Sequence, residues 1–269
     1  MRRTPRRPIG RNPGLLAVAA ALAVSACGGG ASAAGSGSPA SGGAGAQGSI
    51  TVLAAASLKE SFAAIGKAFQ AANPGTTVTF SFGASSTLAQ QITQGAPADV
   101  FASASQKNMQ QVVDAKSASN PTAFARNVLE IAVPKDNPAR IASLQDLARP
   151  GVKVALCQPQ VPCGDLAQKV LGKANVTVKP ATLESDVKAT LTKVQLGEVD
   201  AGLVYVTDVK AAGDKVSGVQ IPADVDMATS YPIAALSGST NAGLAKAFVQ
   251  YVLSGPARAE LTEAGFEAP

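Results

Sequence analysis

Two serines stand where a strand-like run gives way to a helix-like one. Ile50-Thr51-Val52-Leu53-Ala54-Ala55-Ala56 is apolar and leads straight into Ser57. Thr76 to Phe82 alternates, with Val78, Phe80 and Phe82 on one side, and leads through Gly83-Ala84 to Ser85. The start of a helix offers amides with no partner in the helix and the positive end of the macrodipole, and a serine adds a hydroxyl donor. That combination suits an anion. Ser57 is also followed three residues later by Glu60, the spacing of a capping box, so the same residues read equally as a plain helix cap. Ser86 or Thr87 would replace Ser85 after a slip of one residue.

Other chemistries lack their residues. The 269-residue chain contains no histidine, which removes the usual general base and most hydrolytic triads. A serine–lysine pair stays open, because Lys59 and Lys107 lie close to serines. There are three cysteines. Setting Cys27 aside with the leader described next, Cys157 and Cys163 are an even pair in an exported chain, which favours a disulfide. A metal site is the alternative, weakly supported by two thiols without histidine. Asp99, after Ala96-Pro97-Ala98, reads as a structural turn carboxylate, and Asp165 and Asp186 as solvated or capping ones.

Residues 1–27 read as an export signal: Arg2, Arg3, Arg6, Arg7 and Arg11 precede an apolar run from Leu15 to Val24 that is too short to span a membrane. Val24-Ser25-Ala26-Cys27 resembles a bacterial lipobox, which implies lipidation of Cys27 and anchoring to the outer face of the cell membrane. Residues 28–48 are mostly Gly, Ala and Ser and read as a flexible tether. The chain has 23 Lys+Arg against 18 Asp+Glu, but five of the basic residues lie in the leader, so the remainder is formally neutral. A nucleic-acid partner loses its main support.

Alternating elements would position the serines. A helix from Ser57 carries Leu58, Phe62, Ile65 and Phe69 on one stripe and stops at Asn73-Pro74-Gly75. A second helix follows Ser85. Val100 to Ala102, Val128 to Val133, Val152 to Leu156 and Ala201 to Val206 read as strands. Helices are predicted from Ser105 to Val113, Ser143 to Ala148, Gly164 to Leu171, Glu184 to Gly197 and Asn241 to Leu253, with a last one around Leu261. This alternation predicts an α/β fold of two lobes, each a mostly parallel sheet flanked by helices. The segments are lobe 1 at 49–128, lobe 2 at 129–229, and lobe 1 again at 230–269 through the extended run Tyr231 to Ala235. Ligands of such sheets sit beyond the carboxyl ends of the strands, where both serines would stand. Hinged lobes of this kind form a clamshell that closes on its ligand.

Ala54-Ala55-Ala56-Ser57-Leu58, Phe82-Gly83-Ala84-Ser85-Ser86-Thr87-Leu88, Gly95-Ala96-Pro97-Ala98-Asp99-Val100-Phe101, Val161-Pro162-Cys163-Gly164, Leu203-Val204-Tyr205 and Tyr231-Pro232-Ile233-Ala234 occur in that order. From about Ile50 to Phe266 the chain therefore resembles the periplasmic molybdate-binding proteins of ABC importers, which have the type II periplasmic-binding-protein fold. The resemblance implies an oxyanion held by neutral donors: hydroxyls and amides of Ser57 and Ser85 from one lobe, amides of Cys163 and Val187 and the Tyr205 hydroxyl from the other. None would touch the metal atom itself. Cys163 departs from the alanine common in that family, and its side chain is then available to join Cys157. A tetrahedral dianion such as molybdate or tungstate only accepts hydrogen bonds, so a site of donors fits it. The resemblance further implies no cofactor, no enzymatic activity, a monomer, and delivery to an ABC permease with its ATPase. The alternatives are a binder of sulfate or phosphate and an exported enzyme acting on small anions.

Overall fold

A computed structural model describes residues 47–269. The leader, Cys27 and the tether up to residue 46 lie outside the described residues. The tether is expected to extend to residue 48, but the first strand already begins at Gly48, paired with Thr76.

The first sheet is built from β1 (Gly48–Ala55), β2 (Thr76–Gly83), β3 (Val100–Ala102) and β4 (Thr122–Asn127). The helices α1 (Lys59–Ala72), α2 (Ser85–Thr93) and α3 (Gln106–Asp114) connect them. The second sheet holds β5 (Leu129–Pro134), β6 (Val154–Cys157), β7 (Thr182–Glu184), β8 (Ala201–Tyr205) and β9 (Val216–Gln220), with α4 (Pro162–Lys173), α5 (Val187–Gln195) and α6 (Val206–Ala212). The chain then returns to the first sheet as β10 (Thr229–Ala235) and ends in α7 (Ala242–Val252) and α8 (Gly255–Glu263).

The strand orders are β2-β1-β3-β10-β4 and β7-β6-β8-β5-β9. Three neighbouring strands in each sheet are parallel, and one antiparallel strand sits between them and the edge. That antiparallel strand is in each case the one that has just crossed from the other lobe: β5 after β4, and β10 after β9. The two lobes thus have one topology, with mixed sheets flanked by helices.

Lobe 1 covers its sheet with α1, α7 and α8 on one face and α2 and α3 on the other. Phe62, Phe69 and Phe248 are fully buried, and the Phe69 and Phe248 rings meet edge to face at 5.3 Å. Such pairs add roughly 0.5–1.5 kcal/mol to burial alone. Lobe 2 is packed from Val, Leu, Ile and Ala, with the Cys157–Cys163 disulfide among them.

Three local expectations change. Ser57 and Glu60 form no capping box. Residues Ala56–Leu58 make a short 3-10 turn, Leu58 precedes α1 without a side-chain cap, and the Ser57 hydroxyl bonds Tyr231 instead. The helix predicted from Glu184 starts at Val187. Glu184 ends β7 beside Cys157, and Asp186 caps α5 by accepting from the Ala189 amide. The helix predicted from Gly164 begins two residues earlier, at Pro162, a first-turn position where a missing amide hydrogen has no consequence.

Candidate anion-binding cleft between the lobes

The carboxyl ends of the parallel strands in both sheets point at one small cleft. β1 delivers Ala55, Ala56 and Ser57 to it, β2 delivers Gly83, Ala84 and Ser85, and Ala104 follows β3. From the second lobe come Val161, Pro162 and Cys163 after β6, Asp186 and Val187 after β7, and Tyr205 at the end of β8. All five residues singled out from sequence for the anion line the cleft: Ser57, Ser85, Cys163, Val187 and Tyr205. Each is at most 4% exposed, so the lobes are closed over the cleft. Ser86 and Thr87 line a separate hollow, with Lys107, and are not alternatives to Ser85 here.

The polar groups are arranged as donors. Ser85, Cys163 and Val187 lie in the first turns of α2, α4 and α5, whose amides have no acceptor within their own helices. The positive ends of three helix dipoles therefore converge where the side chains are small. Gly164 lets this happen in lobe 2. A β-carbon there would collide with the Gln158 carbonyl, so only glycine allows the loop from Cys157 to fold against the start of α4. The disulfide closes that loop, bonding Cys157 at the end of β6 to Cys163 in the first turn of α4.

Hydrogen bonds around the cleft turn its hydroxyls outward as donors. The Ser85 Oγ accepts from the Ala104 amide at 2.9 Å, which leaves the Ser85 hydrogen free. Ser57 Oγ is 2.8 Å from the Tyr231 hydroxyl. The Asn127 side-chain amide donates toward that Tyr231 oxygen at 3.5 Å and to Thr207 Oγ1 at 2.8 Å. Either hydroxyl can donate in the Ser57–Tyr231 bond, and with Tyr231 donating, Ser57 has its own hydrogen for the cleft. The Tyr205 hydroxyl is buried with no hydrogen-bond partner. Burial, and then the neighbouring Tyr231 and Asp208, push its pKa well above the ordinary phenol value, so it stays a protonated donor.

Among the described residues no lysine or arginine lines the cleft. Its one carboxylate, Asp186, is turned to the Ala189 amide. Asp165 instead pairs with Lys169 on the surface of α4. Asp99 is the turn carboxylate expected, taking hydrogen bonds from the Thr51 amide and the Ser239 hydroxyl. Among the described residues no cluster of histidine, cysteine and carboxylates could hold a metal ion.

Sequence reasoning missed the layer behind the cleft. Asp208 is fully buried and accepts from the Tyr205 amide at 3.1 Å. Its other oxygen is 3.0 Å from Lys188 Nζ, which also lies 2.7 Å from Glu60 across the cleft. Burial disfavours the Lys188 charge, yet Asp208 and Glu60 outweigh it and hold its pKa above the ordinary value. Burial pushes the Asp208 carboxyl up, opposed by Lys188 and the Tyr205 amide. Tyr231 sat in a quoted motif, where it marked only the crossing between lobes. Lys188 adjoins Val187, and nothing in the spacing distinguished it from a solvated helix lysine.

A family model of bacterial extracellular solute-binding proteins matches residues 50–267. The molybdate-binding protein ModA of Mycobacterium tuberculosis is 40% identical over 264 residues, covering 98% of this chain and 100% of that protein. ModA of Escherichia coli is 36% identical over 230 residues, covering 80% of this chain and 87% of that one. Among solved structures, the periplasmic molybdate-binding protein of Azotobacter vinelandii superposes with a TM-score of 0.73 at 21% identity, over 82% of this chain and 99% of that one. The fold is thus that of the type II periplasmic binding proteins, and the chain belongs to the bacterial extracellular solute-binding proteins, in the family of the ModA molybdate-binding proteins.

Proposed function

We propose that the protein captures molybdate, and tungstate with it, outside the cytoplasm and delivers it to an ABC permease driven by its ATPase. The anion is cargo, and no cofactor takes part. The observation that carries the reading is the buried Tyr205 hydroxyl, unpartnered and lining a cleft beside the free first-turn amides of Ser85, Cys163 and Val187. A buried donor without an acceptor is unfavourable by roughly 1–3 kcal/mol, and an oxyanion would supply the acceptor. Ser57 and Ser85 add hydroxyls from the opposite lobe. The match to extracellular solute-binding proteins and to curated molybdate-binding relatives supports a binding protein over an enzyme. The protein acts as a monomer, anchored through a lipid on Cys27 by way of the Gly/Ala/Ser segment.

Thermal unfolding followed by circular dichroism tests the ligand, since the chain has no tryptophan. At 100 times its dissociation constant a ligand stabilises by about 2.7 kcal/mol, which raises the midpoint by roughly 5–10 °C for this size. Molybdate and tungstate produce that shift; sulfate and phosphate do not. Ser57→Ala, Ser85→Ala and Tyr205→Phe each weaken binding roughly 10- to 100-fold, the usual range for a hydrogen bond to a charge. A shift with sulfate or phosphate alone moves the substrate, and no shift with any anion defeats the reading. Mass spectrometry of the mature N-terminus tests the lipid on Cys27.

A further inference from the structure

Three charged side chains meet beside the cleft without lining it. Lys188 follows Val187 in the first turn of α5, Glu60 lies in the first turn of α1, and Asp208 lies in the first turn of α6. The Lys188 ammonium is 3.0 Å from Asp208 in its own lobe and 2.7 Å from Glu60 in the other. Asp208 is fully buried and bonded to the amide of Tyr205. The cluster therefore touches the elements that carry Ser57 in lobe 1 and Val187 and Tyr205 in lobe 2.

We propose that Lys188 is a positioning residue of the anion site: it cancels the buried Asp208 charge behind Tyr205, and its bond to Glu60 latches the closed lobes. This rests on the oxyanion reading above. A buried carboxylate next to Tyr205 would repel a dianion through poorly screened surroundings, and Lys188 removes that repulsion. The two partners of Lys188 differ in what happens when the lobes part. Asp208 stays with Lys188 in the same lobe, so no buried charge is stranded. Glu60 is half exposed and passes into water. Opening therefore breaks one partly solvated ion pair, and the latch is weak and reversible. A bond made only in the closed form raises affinity by the factor through which it favours closure.

The test uses the protein with Glu60→Gln, Lys188→Met, and Lys188→Met combined with Asp208→Asn. Molybdate affinity and release rate are measured at low and high salt, and small-angle scattering follows the ligand-free lobes. Glu60→Gln should weaken affinity roughly two- to five-fold through faster release, with unchanged association. The gap should close near 1 M salt, where screening reaches about 3 Å. Lys188→Met should lose more, and the added Asp208→Asn should recover most of that loss. Ligand-free wild type should hold a minor closed population that falls as salt rises, and Glu60→Gln should hold less of it at low salt. Equal release rates and equal scattering for wild type and Glu60→Gln at low salt would overturn the latch. Failure of the double variant to recover would overturn the charge cancellation. If wild type binds no molybdate, the functional reading fails, and the scattering and the stability of the double variant against Lys188→Met still decide the two roles.

Discussion

The two lobes share a strand order and differ in material. All eight phenylalanines of the chain lie in lobe 1, on β2, β3, β4, α1, α7 and the segment after α8. Lobe 2 is aliphatic, and its single aromatic side chain is Tyr205, at the cleft. Their contributions to the cleft differ in the same way. Lobe 1 offers serine hydroxyls oriented by neighbouring hydrogen bonds, from Ala104 and Tyr231. Lobe 2 offers helix-start amides, on a loop closed by a disulfide. One topology therefore does not dictate one core. What the topology does fix is that strand ends face the cleft, and each lobe has its own means of holding donors there.

Truncating the aromatic core should show the largest effect. Phe62→Ala empties a fully buried site among Phe80, Phe124 and Phe248 and should lower stability by about 3–5 kcal/mol in denaturant unfolding. If Val154→Ala in lobe 2 were equally damaging, the contrast between the cores would carry no energetic meaning. Replacing both Cys157 and Cys163 by serine should cost about 2 kcal/mol, from the loop-closure entropy of so short a loop. It should also weaken molybdate binding, whereas lobe 1 has no counterpart to reduce. Tyr231→Phe removes the partner of Ser57 Oγ and should cost about 0.5–1.5 kcal/mol of stability. Molybdate affinity should fall more for this variant than for Tyr251→Phe, which alters a tyrosine outside the cleft, as measured by calorimetry.

The smallest effect is an expected flatness. Serine hydroxyls and amides do not titrate near neutrality, and Tyr205 is held above the ordinary phenol value. Affinity should therefore be constant from about pH 6 to about pH 9. Stability should behave differently at the alkaline end. An unfolded tyrosine ionises near pH 10 while buried Tyr205 does not, so stability falls as pH rises through the unfolded value. Lys188 acts in the same direction. Its raised folded pKa gives stability that is full below the unfolded value and lost above the folded one. Unfolding midpoints should hold across neutrality and drop above about pH 10.

Much of this was legible in the residues. The apolar stripe of Leu58, Phe62, Ile65 and Phe69 gives α1, and the buried run at 201–205 gives β8. Elements without such a pattern were missed. β4 carries Arg126 and Asn127, β7 has three residues, and β9 is interrupted by Gly218. α6 begins at Val206 with no intervening turn, so its first residue read as more strand. Ser57 shows a limit of local reasoning. Its spacing to Glu60 fits a cap, but the hydroxyl is taken by Tyr231, 174 residues away, and Glu60 by Lys188. The repeated topology of the lobes left no repeated sequence, because alternation of burial can be met by phenylalanine in one lobe and valine in the other.

The crossing strands also set an order of assembly. β5 to β9 form an unbroken stretch of chain, so lobe 2 can complete its sheet as soon as that stretch has emerged from synthesis. Lobe 1 cannot, because β10 lies between β3 and β4 and arrives near the end. The segment made first must wait with a gap in its sheet until the segment made last fills it. A chain terminated before Thr229 would hold a finished second lobe and two unjoined pieces of the first, exposing β3 and β4 edges to pairing with other chains.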